Sequence, residues 1–118
     1  MEPRPASPPG FAPETVDFYL ADPNAAFAAL RRDDPLHWYE GGGFWCVLKH
    51  ADAQDVGRRP RDFCSSRGTQ IFQIALERES GDSVPEEMAT TGLGSAPNII
   101  MMDPPQHNRM RKLVIGAF

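Results

Sequence analysis

The residues with the clearest chemical potential lie near the C-terminal end, in the run Asp103-Pro104-Pro105-Gln106-His107-Asn108-Arg109-Met110-Arg111. His107 and Arg111 stand four apart. On a helix they share one face, with Cβ atoms about 6 Å apart. His107 would also sit in the first turns, where unpaired backbone N–H groups and the positive end of the helix dipole favour an anion. A guanidinium presents a planar fork that matches a carboxylate. The pair is therefore a candidate clamp for a carboxylated ligand. On spacing alone, such a pair is more often a solvated helix face.

The other candidates are weaker. Cys46 and Cys64 are the two cysteines. No second Cys or His stands at metal-ligand spacing from either, so both are expected as reduced thiols, with no metal site. Arg109, Arg111 and Lys112 form a short basic group, but 16 acidic against 12 basic residues give a net charge of −4. That balance argues against nucleic acid or an anionic membrane as partner.

The elements that must position these residues follow from pattern and punctuation. A chain of 118 residues is long enough for one domain. With 41 % apolar residues, 12 prolines and 10 glycines, it has less regular structure and less core than its length suggests. Residues 1–13 hold five prolines and no helical period, and 1–16 is expected to be a flexible arm. Asp22-Pro23 is a helix-start signal, with Asp as N-cap and Pro at the first helical position. Ala26, Phe27 and Leu30 then share a face, Arg31 and Arg32 suit the C-terminal end, and Pro35 stops the helix. Leu36–Tyr39 and Phe44–Leu48, joined across Gly41-Gly42-Gly43, predict a β-hairpin. Residues 51–58 suit a short helix ended by Pro60, 63–69 are irregular, and 70–77 suit a helical turn. From Glu77 to Pro97 the chain is polar and without clear period, as in a functional loop or a disordered segment.

In the last segment Asp103 is the expected N-cap, with Pro104 at the first helical position. Met110, Leu113, Val114 and Ala117 form an apolar stripe behind it. The chain stops at Phe118 with nothing to cover that stripe, which is expected of a truncated chain. Apolar runs such as Phe44–Leu48 and Ile99–Met102 fall far short of the ~20 residues of a membrane helix. The N-terminus has no apolar signal-peptide core. A cytoplasmic protein without a membrane span is expected.

The order of these motifs resembles the N-terminal portion of the bacterial cytochrome P-450 family, the haem-thiolate monooxygenases. Asp103-Pro104-Pro105-Gln106-His107 with Arg111, and Phe118 seven positions later, resembles the start of that family's helix C. Ala29–Arg32 followed by Pro35–Trp38 resembles its first helix and strand, and Gly43–Val47 its second strand. His50–Ala53 resembles the opening of its next helix. Pro60-Arg61-Asp62-Phe63-Cys64-Ser65-Ser66 resembles its Pro-x-x-Phe-Ser-Ser turn. The match covers roughly 17–118. The detail around Phe44-Trp45 and Ser65–Thr69 is most similar to actinobacterial members that oxidise steroid side chains and other lipids.

The resemblance implies a fold class that is mainly α with a small antiparallel β-hairpin (α+β), as an incomplete N-terminal part of the cytochrome P-450 fold. It implies haem as cofactor, with His107 and Arg111 binding the propionates. Ile71, Ile99, Ile100 and Met101 are implied as haem-pocket or substrate-pocket lining, and the segment from about Ile71 to Pro97 as the loop covering the substrate. The implied partners are a hydrophobic small-molecule substrate and a ferredoxin-type electron donor. Neither Cys46 nor Cys64 has the setting of the family's iron-binding thiolate, and no catalytic residue is expected in the chain. The isolated chain is thus expected to be poorly folded, inactive and unable to hold haem stably. The alternative is an independent, non-catalytic interaction module that uses the stripe on its last helix.

Overall fold

Capping and proline placement start the helices, and aromatic side chains decide what they pack on. A computed structural model describes residues 3–80 and 99–118. In chain order these form α1 (Val16–Leu20), α2 (Pro23–Asp33), β1 (Leu36–Tyr39), β2 (Phe44–Val47), α3 (His50–Arg58), α4 (Ile71–Ser80), a 3-10 turn (Ile99–Met101) and α5 (Gln106–Ala117). The class is α+β: mainly helical, with one antiparallel hairpin. The chain divides into two units, Met1–Asp55 and Val56–Phe118.

In the first unit, α2 begins as its sequence dictates. The Asp22 carboxylate accepts the Asn24 amide at 3.0 Å, Pro23 follows at the first helical position, and the Asp34 amide closes the far end on the Leu30 carbonyl at 2.8 Å. The short α1 was not among the expected elements. Its signal is Thr15, whose hydroxyl accepts the Phe18 amide at 3.3 Å, with Asp17 in the first turn.

The hairpin pairs Leu36 with Val47, His37 with Cys46, Trp38 with Trp45 and Tyr39 with Phe44. This register sends His37 and Tyr39 inward and Trp38 and Trp45 to the other face. The turn needs glycine twice over. Gly43 has φ 67°, and a Cβ at Gly42 would collide with the Phe44 ring.

The core of this unit is Phe11, Phe18, Leu30 and Tyr39, with Ala26, Phe27, Phe44, Cys46 and Leu48 against it. Phe11 lies at its centre. Its ring meets Phe18, Phe27, Tyr39 and His37 edge to face, at centroid distances of 5.4, 5.9, 5.4 and 5.7 Å. The prolines keep residues 3–13 free of regular helix, as composition predicts. Composition did not disclose that Phe11 belongs to the core. Two further contacts run from the same stretch: the Arg4 guanidinium stands over Trp38 and Trp45 at 5.3 and 5.0 Å, and Ser7 bonds His37 at 2.8 Å.

In the second unit, α4 runs to Ser80, longer than the single turn expected over 70–77. Its start is held by Gln73, whose Oε1 accepts the amides of Thr69 and Gln70, both at 2.7 Å. That is half of a capping box, with the side chain at the third helical position reaching back. Positions 81–98, where most of the expected polar loop falls, lie outside the described residues.

The last helix departs from expectation at its first turn. Regular helix begins at Gln106, Pro105 precedes it, and no side chain caps it. Asp103 is not the N-cap, because its carboxylate accepts the amides of Ser65 and Ser66 at 2.6 and 3.3 Å. Two bonds to a charged acceptor replace the single one that capping would have supplied. The expected stripe is present and open to solvent, with Leu113 and Val114 exposed and Met110 partly so.

Candidate functional site

The expected clamp residues come together within the second unit. A cleft of about 500 Å³ runs between one wall made by the end of α3 and the turn after it, and another made by Ile100–Asp103 and the first turns of α5. His107 and Arg111 both line it, one helical turn apart on the same face, and Arg58 joins them from α3. Among the described residues, no hydrogen bond or ion pair engages the His107 ring or the Arg111 guanidinium. Their donors point to a site for an acidic ligand: up to five N–H groups on the arginine and one or two on the imidazole.

Asp103 is the single carboxylate among the described residues that line this cleft, and its oxygens are engaged by the opposite wall. The Ser66 hydroxyl and the Ser65 and Ser66 amides hold its carboxyl below the usual carboxylate range. Ile100 and Met102 supply apolar surface along the same wall. Ile100 lines this cleft, while Ile71, Ile99 and Met101 are not part of it. Met102, Arg58 and Asp103 do line it without having been singled out as binding residues. Arg58 carried a faint signal, a cation in the last turn of α3.

The cysteines are unpaired thiols. Cys46 is half-buried in β2, and burial pushes its thiol up, away from the thiolate an iron ligand requires. Cys64 is exposed and lies on the cleft wall. No group of three or more His, Cys, Asp or Glu suited to a metal ion occurs among the described residues.

One arrangement in the first unit was invisible in the sequence. Asp34 Oδ2, the His37 ring and Ser7 Oγ form a linear chain, with 2.7 Å at Nδ1 and 2.8 Å at Nε2. The order matches that of a hydrolase triad. His37, however, is 0 % exposed. The unit's cleft, about 560 Å³ and lined by Pro8, Gly10, Phe18, Ala25 and Ala29 among others, includes neither Ser7 nor His37. The chain satisfies a buried imidazole and ties residues 3–13 to the hairpin.

Comparison with known proteins places this chain in a family. Linalool 8-monooxygenase from Pseudomonas putida is 37 % identical over 98 residues, covering 80 % of this chain and 23 % of that protein. Steroid C26-monooxygenase from Mycolicibacterium smegmatis is 32 % identical over 106 residues, covering 81 % and 22 %. Cytochrome P-450(MEG) from Priestia megaterium is 30 % identical over 108 residues, covering 92 % and 23 %. The chain belongs to the cytochrome P-450 monooxygenase family. It spans about a quarter of the length of the curated relatives it matches. No family model matches it, and no solved structure does. Among the described residues, no helix is long and apolar enough to cross a membrane.

Proposed function

We propose that this chain forms one wall of the cofactor site of a haem-dependent monooxygenase, with His107 and Arg111 binding the haem propionates. Haem is the cofactor of the full-length family. The observation that carries the reading is the cleft itself, where an imidazole and a guanidinium share one helix face without a competing partner among the described residues. Two propionates need such a donor set. Bound haem supplies the oxygen-activating iron. The chain's own part is to hold the carboxylates and to offer apolar surface beside them, through Ile100 here and through Ile71, Ile99 and Met101 where the substrate lies.

The substrate class is a hydrophobic small molecule, steroid or lipid-like, hydroxylated with O2 and electrons from a ferredoxin-type donor in the cytoplasm. Names of relatives that act on a terpene alcohol and on steroids support that class. Neither thiol suits the axial position, so the 118-residue chain alone is inactive and does not retain haem. A second reading, a non-catalytic interaction module, draws on the exposed Leu113 and Val114. Reversible self-association or partner binding lost on Leu113→Asp, with the His107 and Arg111 variants silent, would favour it.

The test is weak-binding titration of the chain with metal-free protoporphyrin IX and with its dimethyl ester. Wild type prefers the diacid, and His107→Ala with Arg111→Ala removes the preference. Equal binding of acid and ester by wild type would refute the reading.

A further inference from the structure

The geometry points to Asp103 as the positioning residue of the carboxylate clamp, holding the start of α5 to the turn at Ser65-Ser66 so that His107 and Arg111 face the cleft. This rests on the clamp reading above and goes beyond it to the residue that builds the site. The cleft has two walls drawn from positions some forty apart in sequence, 56–65 and 100–111. Two of the hydrogen bonds between those walls end on the Asp103 carboxylate, at 2.6 and 3.3 Å. The same residue holds the clamp from the other side, since its carbonyl accepts the His107 amide at 3.1 Å. One residue thus connects the backbone of His107 to the opposite wall. No side chain caps α5, so the helix start takes its placement from this link.

An acidic residue in an anion site is otherwise unfavourable, because a carboxylate repels a carboxylate. Here the two amides and the Ser66 hydroxyl compensate it. That opposition gives the proposal a sharp test. Asp103→Asn is isosteric and removes a negative charge, so charge alone predicts tighter binding of a diacid. An asparagine, however, offers one oxygen, and its NH2 group faces an amide that also donates. The positioning role therefore predicts weaker binding, by about tenfold for one lost charge-assisted bond.

The experiment titrates wild type and Asp103→Asn with protoporphyrin IX and its dimethyl ester, and follows the Ser65 and Ser66 amide protons by NMR between neutral and acid pH. In wild type, both amide signals move as Asp103 is protonated. In the variant they are shifted from the start and lack that titration, diacid affinity falls about tenfold, and ester affinity is unchanged. Unchanged or tighter diacid binding by the variant, in a wild type that prefers the diacid, overturns the positioning role alone. Parallel loss of diacid and ester also overturns it, because general unfolding affects both. A wild type without preference for the diacid overturns the clamp itself. Asp103→Glu, which keeps the charge and both oxygens, recovers part of the affinity if positioning is the cause.

Discussion

Replacing Phe11 by alanine is expected to unfold most of the first unit, although the residue lies in a proline-rich stretch with no regular structure. Phe11 is 5 % exposed and its ring meets four others edge to face. Truncating a buried phenylalanine costs ~3–5 kcal/mol, from lost transfer energy and the cavity left behind. A unit of this size has a total stability of only ~3–8 kcal/mol at typical per-residue values. The loss is therefore comparable to everything that holds the unit together. Urea denaturation followed by tryptophan fluorescence reads this directly, because both tryptophans of the chain, Trp38 and Trp45, pair across the hairpin. With a urea slope of ~1–1.5 kcal/mol per molar for so small a unit, the midpoint should fall by ~2 M or more. At the lower end of that stability range, Phe11→Ala should show unfolded-type emission before denaturant is added. Phe11→Leu, which keeps much of the volume, should fall in between. A Phe11→Ala midpoint equal to that of wild type would show that residues 3–13 are not part of the core.

Two further outcomes follow from the same unit. Burial, together with the hydroxyl's 2.8 Å bond to Glu14, pushes the Tyr39 phenol up to about 12. An unfolded tyrosine titrates near ~10, so the stabilisation is complete below that pH and is lost as pH rises from there through 12. Ultraviolet titration should find a late-ionising tyrosine that Glu14→Gln brings down, and no such change on that substitution would contradict the assignment. Arg4→Ala should alter tryptophan emission while costing only ~0.5–1 kcal/mol, because its cation–π contacts are exposed. An emission spectrum identical to wild type would rule out the Arg4 contact.

Elements that depend on neighbours in sequence were legible from it. The start of α2 was written in Asp22-Pro23, and the hairpin in two β-rich runs around three glycines. The spacing of His107 and Arg111 already placed both on one face of a helix, and that helix forms. Where sequence and structure differ, the cause is shared: a side chain's nearest use in sequence is not its actual use. Asp103 has the local chemistry of an N-cap and binds amides 38 and 37 positions away instead. Gln73, an unremarked polar residue, is 2 % exposed and holds the first turn of α4. Prolines keep residues 3–13 from helix, yet absence of helix says nothing about burial of a single aromatic ring such as Phe11.

By itself, then, the sequence determined the family, the helix starts, the hairpin and the facing pair of donors. Each of these is fixed by backbone preference or by periodicity within a few residues. Tertiary structure decided that Phe11 centres a core, that His37 is buried between Asp34 and Ser7, and that Arg58 and Asp103 share a cleft with His107 and Arg111. The physical reason is that these depend on contacts between distant segments. Such contacts form where burial and an unpaired donor or acceptor leave one partner better than water, and no local pattern records which partner that will be.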